Sequence, residues 1–128
     1  MQMPIAEVLD RLSILRLKMT YIGERHLLDE YMACCDMVDT EIRLGKVSAF
    51  VALNGALRLY EVNRQIWNLE AALKSGKEKG VPLAEIGKRA IKIRDWNRAR
   101  VTIKSEIVEL TKQGYKDVKQ NHLSARDK

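Results

Sequence analysis

Proline occurs only twice, as Pro4 and Pro82. The chain between them is therefore free of the residue that most reliably breaks a helix. Within that span apolar residues recur at steps of three and four, the period of an α-helix packed on one side. Ile5, Val8, Leu12, Leu15, Met19 and Ile22 form a first stripe, behind a proline suited to the opening turn. Gly23 interrupts it. Leu28, Tyr31, Cys35, Val38 and Ile42 resume it in a new register, which implies a bend, a short turn or a stutter. Gly45 suits the position just past a helix end.

Ser48 is placed to cap a third helix reaching about Lys74. This helix carries two apolar stripes. Phe50, Leu53, Leu57, Tyr60 and Trp67 make one; Leu59, Val62, Ile66, Leu69 and Leu73 make the other. Two apolar sides imply a central helix or one at a subunit interface. Ser75-Gly76-Lys77-Glu78-Lys79-Gly80 reads as a mobile polar loop. Pro82 then opens a fourth helix, with Leu83, Ile86, Ala90, Ile93, Ile103, Ile107 and Leu110 inward and Gly114 at its end. No segment alternates as a strand would. The expected fold is all-α: an antiparallel bundle of three or four long helices, oligomeric, in one domain spanning 1–119. A polar tail, 120–128, follows.

Hydrophobic residues make up 46% of the chain and charged residues 31%, enough apolar content to exclude a disordered chain. No apolar run approaches the ~20 residues that span a bilayer, so no membrane contact is expected. Cys34 and Cys35 are adjacent, and side chains about 100° apart on a helix do not readily bridge. With no secretory pattern, a cytoplasmic setting is expected. The net charge of +6 suits an anionic partner or a plain lysine-rich surface equally.

Polar residues interrupt the apolar seams at three places. Asn97, Arg100 and Lys104 continue the inward line of the fourth helix. Glu7, Arg11, Ile14 and Lys18 lie beside the first stripe. Asn63, Trp67 and Glu70 share a face of the third. One reading is a buried network in which Glu7 and Glu70 pair with Arg11, Arg100 and Lys104 and set helix register. The other is a pocket between helices, where bundles place ligand sites. Its Arg, Lys and Asn donors would suit phosphate or carboxylate oxygens, with Trp67 as a wall.

Other chemistry has less to build on. There is no glycine-rich phosphate loop. His26 and His122 are too isolated for metal-ligand spacing, and Cys35 with His26 makes no supported nucleophile pair. Asp36, Asp39 and Glu41 are close in sequence but lie on different helix faces or on a solvent face, so no metal and no cofactor are expected. Lys88, Arg89, Lys92, Arg94, Arg98 and Arg100 make the fourth helix basic. A nucleic acid could follow it, although little aromatic interleaving accompanies the charge.

These segments resemble a bacterial and phage family of uncharacterised helical proteins, often found near surface-polysaccharide genes. The likeness runs through Glu7-Val8-Leu9-Asp10-Arg11 to Ile14-Leu15 and Lys18; through Asn63, Trp67 and Glu70; through Asn97, Arg100, Lys104, Glu106 and Ile107; and through Asp117-Val118-Lys119. Arg11, Ala71 and Arg98 depart from its pattern, the last two removing carboxylates. The resemblance implies a helical fold and marks the polar set without naming a substrate. A fainter likeness, through Arg11 and Lys18 on a long first helix, is to the helical chorismate mutases, which bind a dianion with cations from several helices.

Three functions follow as expectations. The first is a sequestering or sensing module that holds an anionic, phosphate-bearing ligand with Arg11, Lys18, Asn63, Trp67, Glu70, Asn97, Arg100 and Lys104. The second is an enzyme on an anionic substrate with Glu7 or Glu70 as acid–base. The third is an adaptor binding protein or nucleic acid through the basic fourth helix. The first needs no chemistry, so the balance leans away from an enzyme. Self-association is expected in each case.

Overall fold

In a computed structural model, which describes residues 3–112, the chain forms four α-helices and one 3-10 turn. They are α1 (Ile5–Tyr21), the turn Arg25–Leu27, α2 (Leu28–Arg43), α3 (Ala49–Glu78) and α4 (Leu83–Thr111). Among the described residues there is no strand, and no helix is long and apolar enough to cross a membrane.

The ends are set by local chemistry. Pro4 lies just outside α1, and its carbonyl accepts from the amides of Glu7 and Val8 at 3.0 and 3.1 Å. Gly23 takes φ +75°, closed to most side chains, and reverses the chain into α2. The break between the first two stripes is therefore a short turn. Ser48 caps α3: its Oγ accepts from the Val51 amide at 3.0 Å. Helix α3 does not stop near Lys74. It runs through Ser75-Gly76-Lys77 to Glu78, and only Lys79–Pro82 turn, with the Val81 amide donating to the Gly76 carbonyl at 2.9 Å. Lys112 adopts the left-handed conformation after Thr111. The expected stop at Gly114, and the polar tail, lie outside the described residues.

Contacts fix the directions. Arg11 reaches Glu30 near the start of α2 and Val8 lies across a pocket from Asp36 and Glu41 further along it, so α2 runs antiparallel to α1. Asn63 reaches Asp10, and Trp67 stacks near Tyr21, so α3 runs parallel to α1. Arg58 reaches Glu106 and Arg89 reaches the Ala72 carbonyl, so α4 returns antiparallel along α3. At 1.5 Å per residue, α3 and α4 are each about 45 Å long, against about 25 Å for α1 and α2. The longer hairpin overshoots the shorter one beyond Tyr21 and Trp67.

The core gathers where α1, α3 and α4 meet: Ile5, Leu9, Leu59, Val62, Ile103 and Ile107 are buried there. Gly55 makes the close approach possible. A Cβ on it would lie 2.8 Å from Ile107 Cδ1 and 3.3 Å from Leu9 Cδ1. Helix α2 packs chiefly on α1, and between α2 and α3 a face of α1 stays uncovered.

Several stripe assignments are corrected by this packing. Of α3's two apolar stripes, Leu59, Val62 and Ile66 take the core. Phe50, Leu53 and Leu57 face outward, 71%, 63% and 62% exposed. Leu83, Leu110, Ile22 and Leu28 are also exposed, because each lies at a helix end beyond the reach of a neighbour. Cys34 rather than Cys35 is the buried thiol. Ala90 is exposed, although Ile86 one turn before it meets Gly76 of α3.

Candidate functional site

The polar seam closes on one buried carboxylate, Asp10, which is 4% exposed. It comes from α1 and collects donors from two other helices. Asn63 Nδ2 on α3 donates to Asp10 Oδ1 at 2.9 Å and lies 2.7 Å from Ser13 Oγ. Ser13 Oγ in turn donates to the Asp10 carbonyl at 2.7 Å. From α4, Arg100 Nε donates to Asp10 Oδ1 at 3.0 Å, while its Nη2 donates to Oδ2. Lys104 Nζ sits 2.8 Å from Glu7 Oε1 and 3.9 Å from Asp10 Oδ2. The Asp10 carboxylate holds the Arg100 guanidinium above its ordinary pKa, against the opposing effect of burial.

This arrangement places Asn63, Arg100 and Lys104 together, as their spacing implies. It does not bring in the rest. Arg11 points away, and its Nε donates to Glu30 on α2 at 2.6 Å in a largely exposed pair. Lys18 lies two turns further along α1, half-buried. Trp67 stacks on Tyr21 with ring centroids 6.0 Å apart and an interplanar angle of 22°, and Glu70 is exposed one turn on. Asn97 lies half-buried on α4, one turn before Arg100. Of the expected network, Glu7 pairs with Lys104, but Arg100 takes Asp10 and Arg11 takes Glu30. Among the described residues Glu70 has no ion-pair partner.

Asp10 and Ser13 are the members that sequence reasoning passed over. The signal was available. Ala6, Leu9, Ser13 and Leu17 form a second inward ridge of α1, all buried, and Ser13 interrupts it with Asp10 alongside.

The basic stretch of α4 is partly committed to the fold. Arg89 Nη1 donates to the Ala72 carbonyl at 2.7 Å and its Nε to Glu85 at 3.4 Å. Lys88, Lys92, Arg94 and Arg98 are exposed. The Cys34 thiol is pushed up from 9.0, first by burial, which keeps it in the weakly nucleophilic thiol form. His26 is exposed beside Glu24.

An apolar groove of about 330 Å³ lies on the uncovered face of α1. Leu12 and Arg16 form its floor, Tyr31 of α2 one wall, and Leu53, Leu57 and Tyr60 of α3 the other. Arg16 Nη1 donates to the Tyr31 hydroxyl at 3.4 Å across one rim. The outward stripe of α3 continues the groove wall along the helix.

No known protein family, no curated protein and no solved structure matches this chain. The likeness to the phage and bacterial helical family rests on the quoted residues alone.

Proposed function

We propose that this protein is a helical docking module that works as a homodimer through the outer stripe of α3 and the adjoining groove. The observation that carries it is the exposure of Phe50, Leu53 and Leu57 in line on one helix. At about 150–200 Å² per side chain, these three leave roughly 350 Å² of apolar surface open. Leu12, Tyr31 and Tyr60, which line the groove, add to it. A stable dimer of standard size buries about 800 Å² per partner, a little over half of it apolar. Stripe and groove together match that apolar share.

A second copy fits the chemistry of the flanks. Arg58 is paired with Glu106 at 2.6 Å and Arg64 with Glu61 at 2.8 Å, so no unpaired charge from these residues repels a like surface. Two α3 helices crossing antiparallel would set the same stripe against itself, the self-complementary contact of a two-fold dimer. Leu53 and Leu57 of one copy would then enter the groove of the other. Sedimentation velocity over a wide concentration range tests this. The expected result is a dimer that becomes a monomer in the Leu53→Glu, Leu57→Glu variant, with helical circular dichroism unchanged. A wild-type chain that stays monomeric at every concentration overturns it.

Anion capture has less support. Arg100 and Lys104 already face Asp10 and Glu7, so a phosphate would have to displace a buried carboxylate that is bonded to two helices. Acid–base catalysis is weaker still, with Glu7 held by Lys104 and Glu70 out in solvent. For a nucleic acid, the exposed Lys88, Lys92, Arg94 and Arg98 offer charge alone.

A further inference from the structure

A second pocket, of about 180 Å³, opens between the C-terminal half of α2 and the start of α1 with the residue Met3 before it. Asp36, Met37, Thr40 and Glu41 face it from α2, and Met3 and Val8 close the other side. Asp36, exposed, and Glu41, buried, border it from different faces of α2, as their spacing implies. Asp39 is drawn away by Arg43, whose Nε donates to it at 2.9 Å.

Glu41 is 8% exposed, and its Oε2 is buried without a hydrogen-bond partner. A carboxylate oxygen in that position lacks the donor that buried acceptors almost always have. Arg43, on the same helix, is engaged with Asp39. Lys46 meets Glu41 through its backbone, its amide donating to the Glu41 carbonyl at 3.0 Å.

The walls narrow the choice of donor. Two thioethers and a valine do not suit a divalent cation, which needs about six oxygens. Among the described residues no three His, Cys, Asp or Glu side chains gather to hold a metal ion. A carboxylate deep in the pocket, apolar walls and a second carboxylate at Asp36 suit a cation with a short hydrocarbon body. At about 30 Å³ per non-hydrogen atom the space holds roughly six such atoms, close to a four-carbon primary amine.

We propose that this pocket binds a primary alkylammonium group. Its ammonium pairs with the Glu41 carboxylate, and its methylenes lie along Met3, Val8 and Met37. Thr40 offers a hydroxyl oxygen to a second N–H.

Thermal unfolding with n-butylammonium, n-butanol and Nα-acetyl-lysine amide, at pH 8 and low salt, tests the proposal. Butylammonium is expected to raise Tm saturably, by about 5 °C at a tenfold excess over its dissociation constant. Butanol is expected to leave Tm unchanged. Glu41→Gln is expected to fold with a Tm at or above that of the wild type and to lose the response. Met37→Trp, which fills the pocket without touching the carboxylate, is expected to lose it too and covers the case in which Glu41→Gln does not fold. A matching rise with acetyl-lysine amide identifies a lysine side chain as able to supply the group. A rise with butylammonium alone identifies a free amine. Absence of any saturable rise, an equal rise with butanol, or a response retained in either variant overturns the proposal. Leu53→Glu, Leu57→Glu leaves this pocket intact, so the dimer and the amine site fail independently.

Discussion

Removing the Asp10 carboxylate would leave the Arg100 guanidinium, only 31% exposed, without its hydrogen-bonded partner and with only the more distant Glu7 as counter-charge. Breaking one side of a buried pair costs more than the pair contributes, because the survivor stays desolvated. With partial exposure of Arg100 discounted, Asp10→Ala is expected to cost about 2–4 kcal/mol. Arg11→Ala removes a pair that is half in water, and is expected to cost less than about 1 kcal/mol. Urea unfolding of the two variants checks the contrast; equal losses would show that Asp10 does not organise the seam. The two arginines look alike in the sequence, one turn or so from polar neighbours on amphipathic helices. Asn63, Arg100 and Lys104 were legible as a set because each interrupts an inward line at helical spacing. Asp10 was not, because it sits beside the inward ridge, where an aspartate ordinarily faces solvent. Which carboxylate answers which cation depends on the rotation of α1 against α3 and α4, and that is a property of the packing.

Helices α3 and α4 contain glycines whose surroundings differ in opposite ways. In a helix interior, glycine costs about 1 kcal/mol relative to alanine, so alanine helps wherever space allows. Gly87 has nothing within 4 Å of where a Cβ would stand, and Gly87→Ala is expected to stabilise by about 0.5–1 kcal/mol. Gly55→Ala would press a methyl into Ile107 and Leu9, and is expected to destabilise by about 1–3 kcal/mol. Thermal unfolding of both reads the sign; stabilisation by Gly55→Ala would mean that the three-helix contact is loose. Helix starts were well marked in the sequence, by Pro4, Ser48 and Pro82, since capping is local chemistry. The end of α3 was not. Ser75 and Gly76 look like a loop, yet Gly76 is buried beside Ile86 and Arg89 of the returning helix, and tertiary packing overrides the weak local preference. The choice between α3's two apolar stripes was equally hidden, since both have helical spacing and only the position of α1 decides between them.

At the scale of the molecule, the length mismatch between the hairpins divides the bundle into a body and an overshoot. In the body, α1 packs on both α3 and α4 while α2 packs chiefly on α1; beyond Trp67 the ends of α3 and α4 pair with each other. Two helices bury less apolar surface per residue than three, so local opening there costs less. Hydrogen exchange is expected to be faster in 70–92 than in 52–66 and 99–108. Uniform protection would show that something else covers the overshoot. The all-α bundle was legible from the proline distribution and the helical period, whereas the mismatch was not, because it follows from where α3 ends. The Gly55 contact has a consequence for how such a molecule moves. Ile107 and Leu9 fill the hollow at Gly55 from two sides, and Asp10 ties α1 to α3 and α4 two turns further on. Sliding the long hairpin along α1 would have to empty the hollow and break those ties together. Tilting it about Gly55 would pull on those ties too, since they lie about 12 Å along α3 from the hollow. The long hairpin is therefore clamped at two separated points, and any bending is left to the part beyond Trp67.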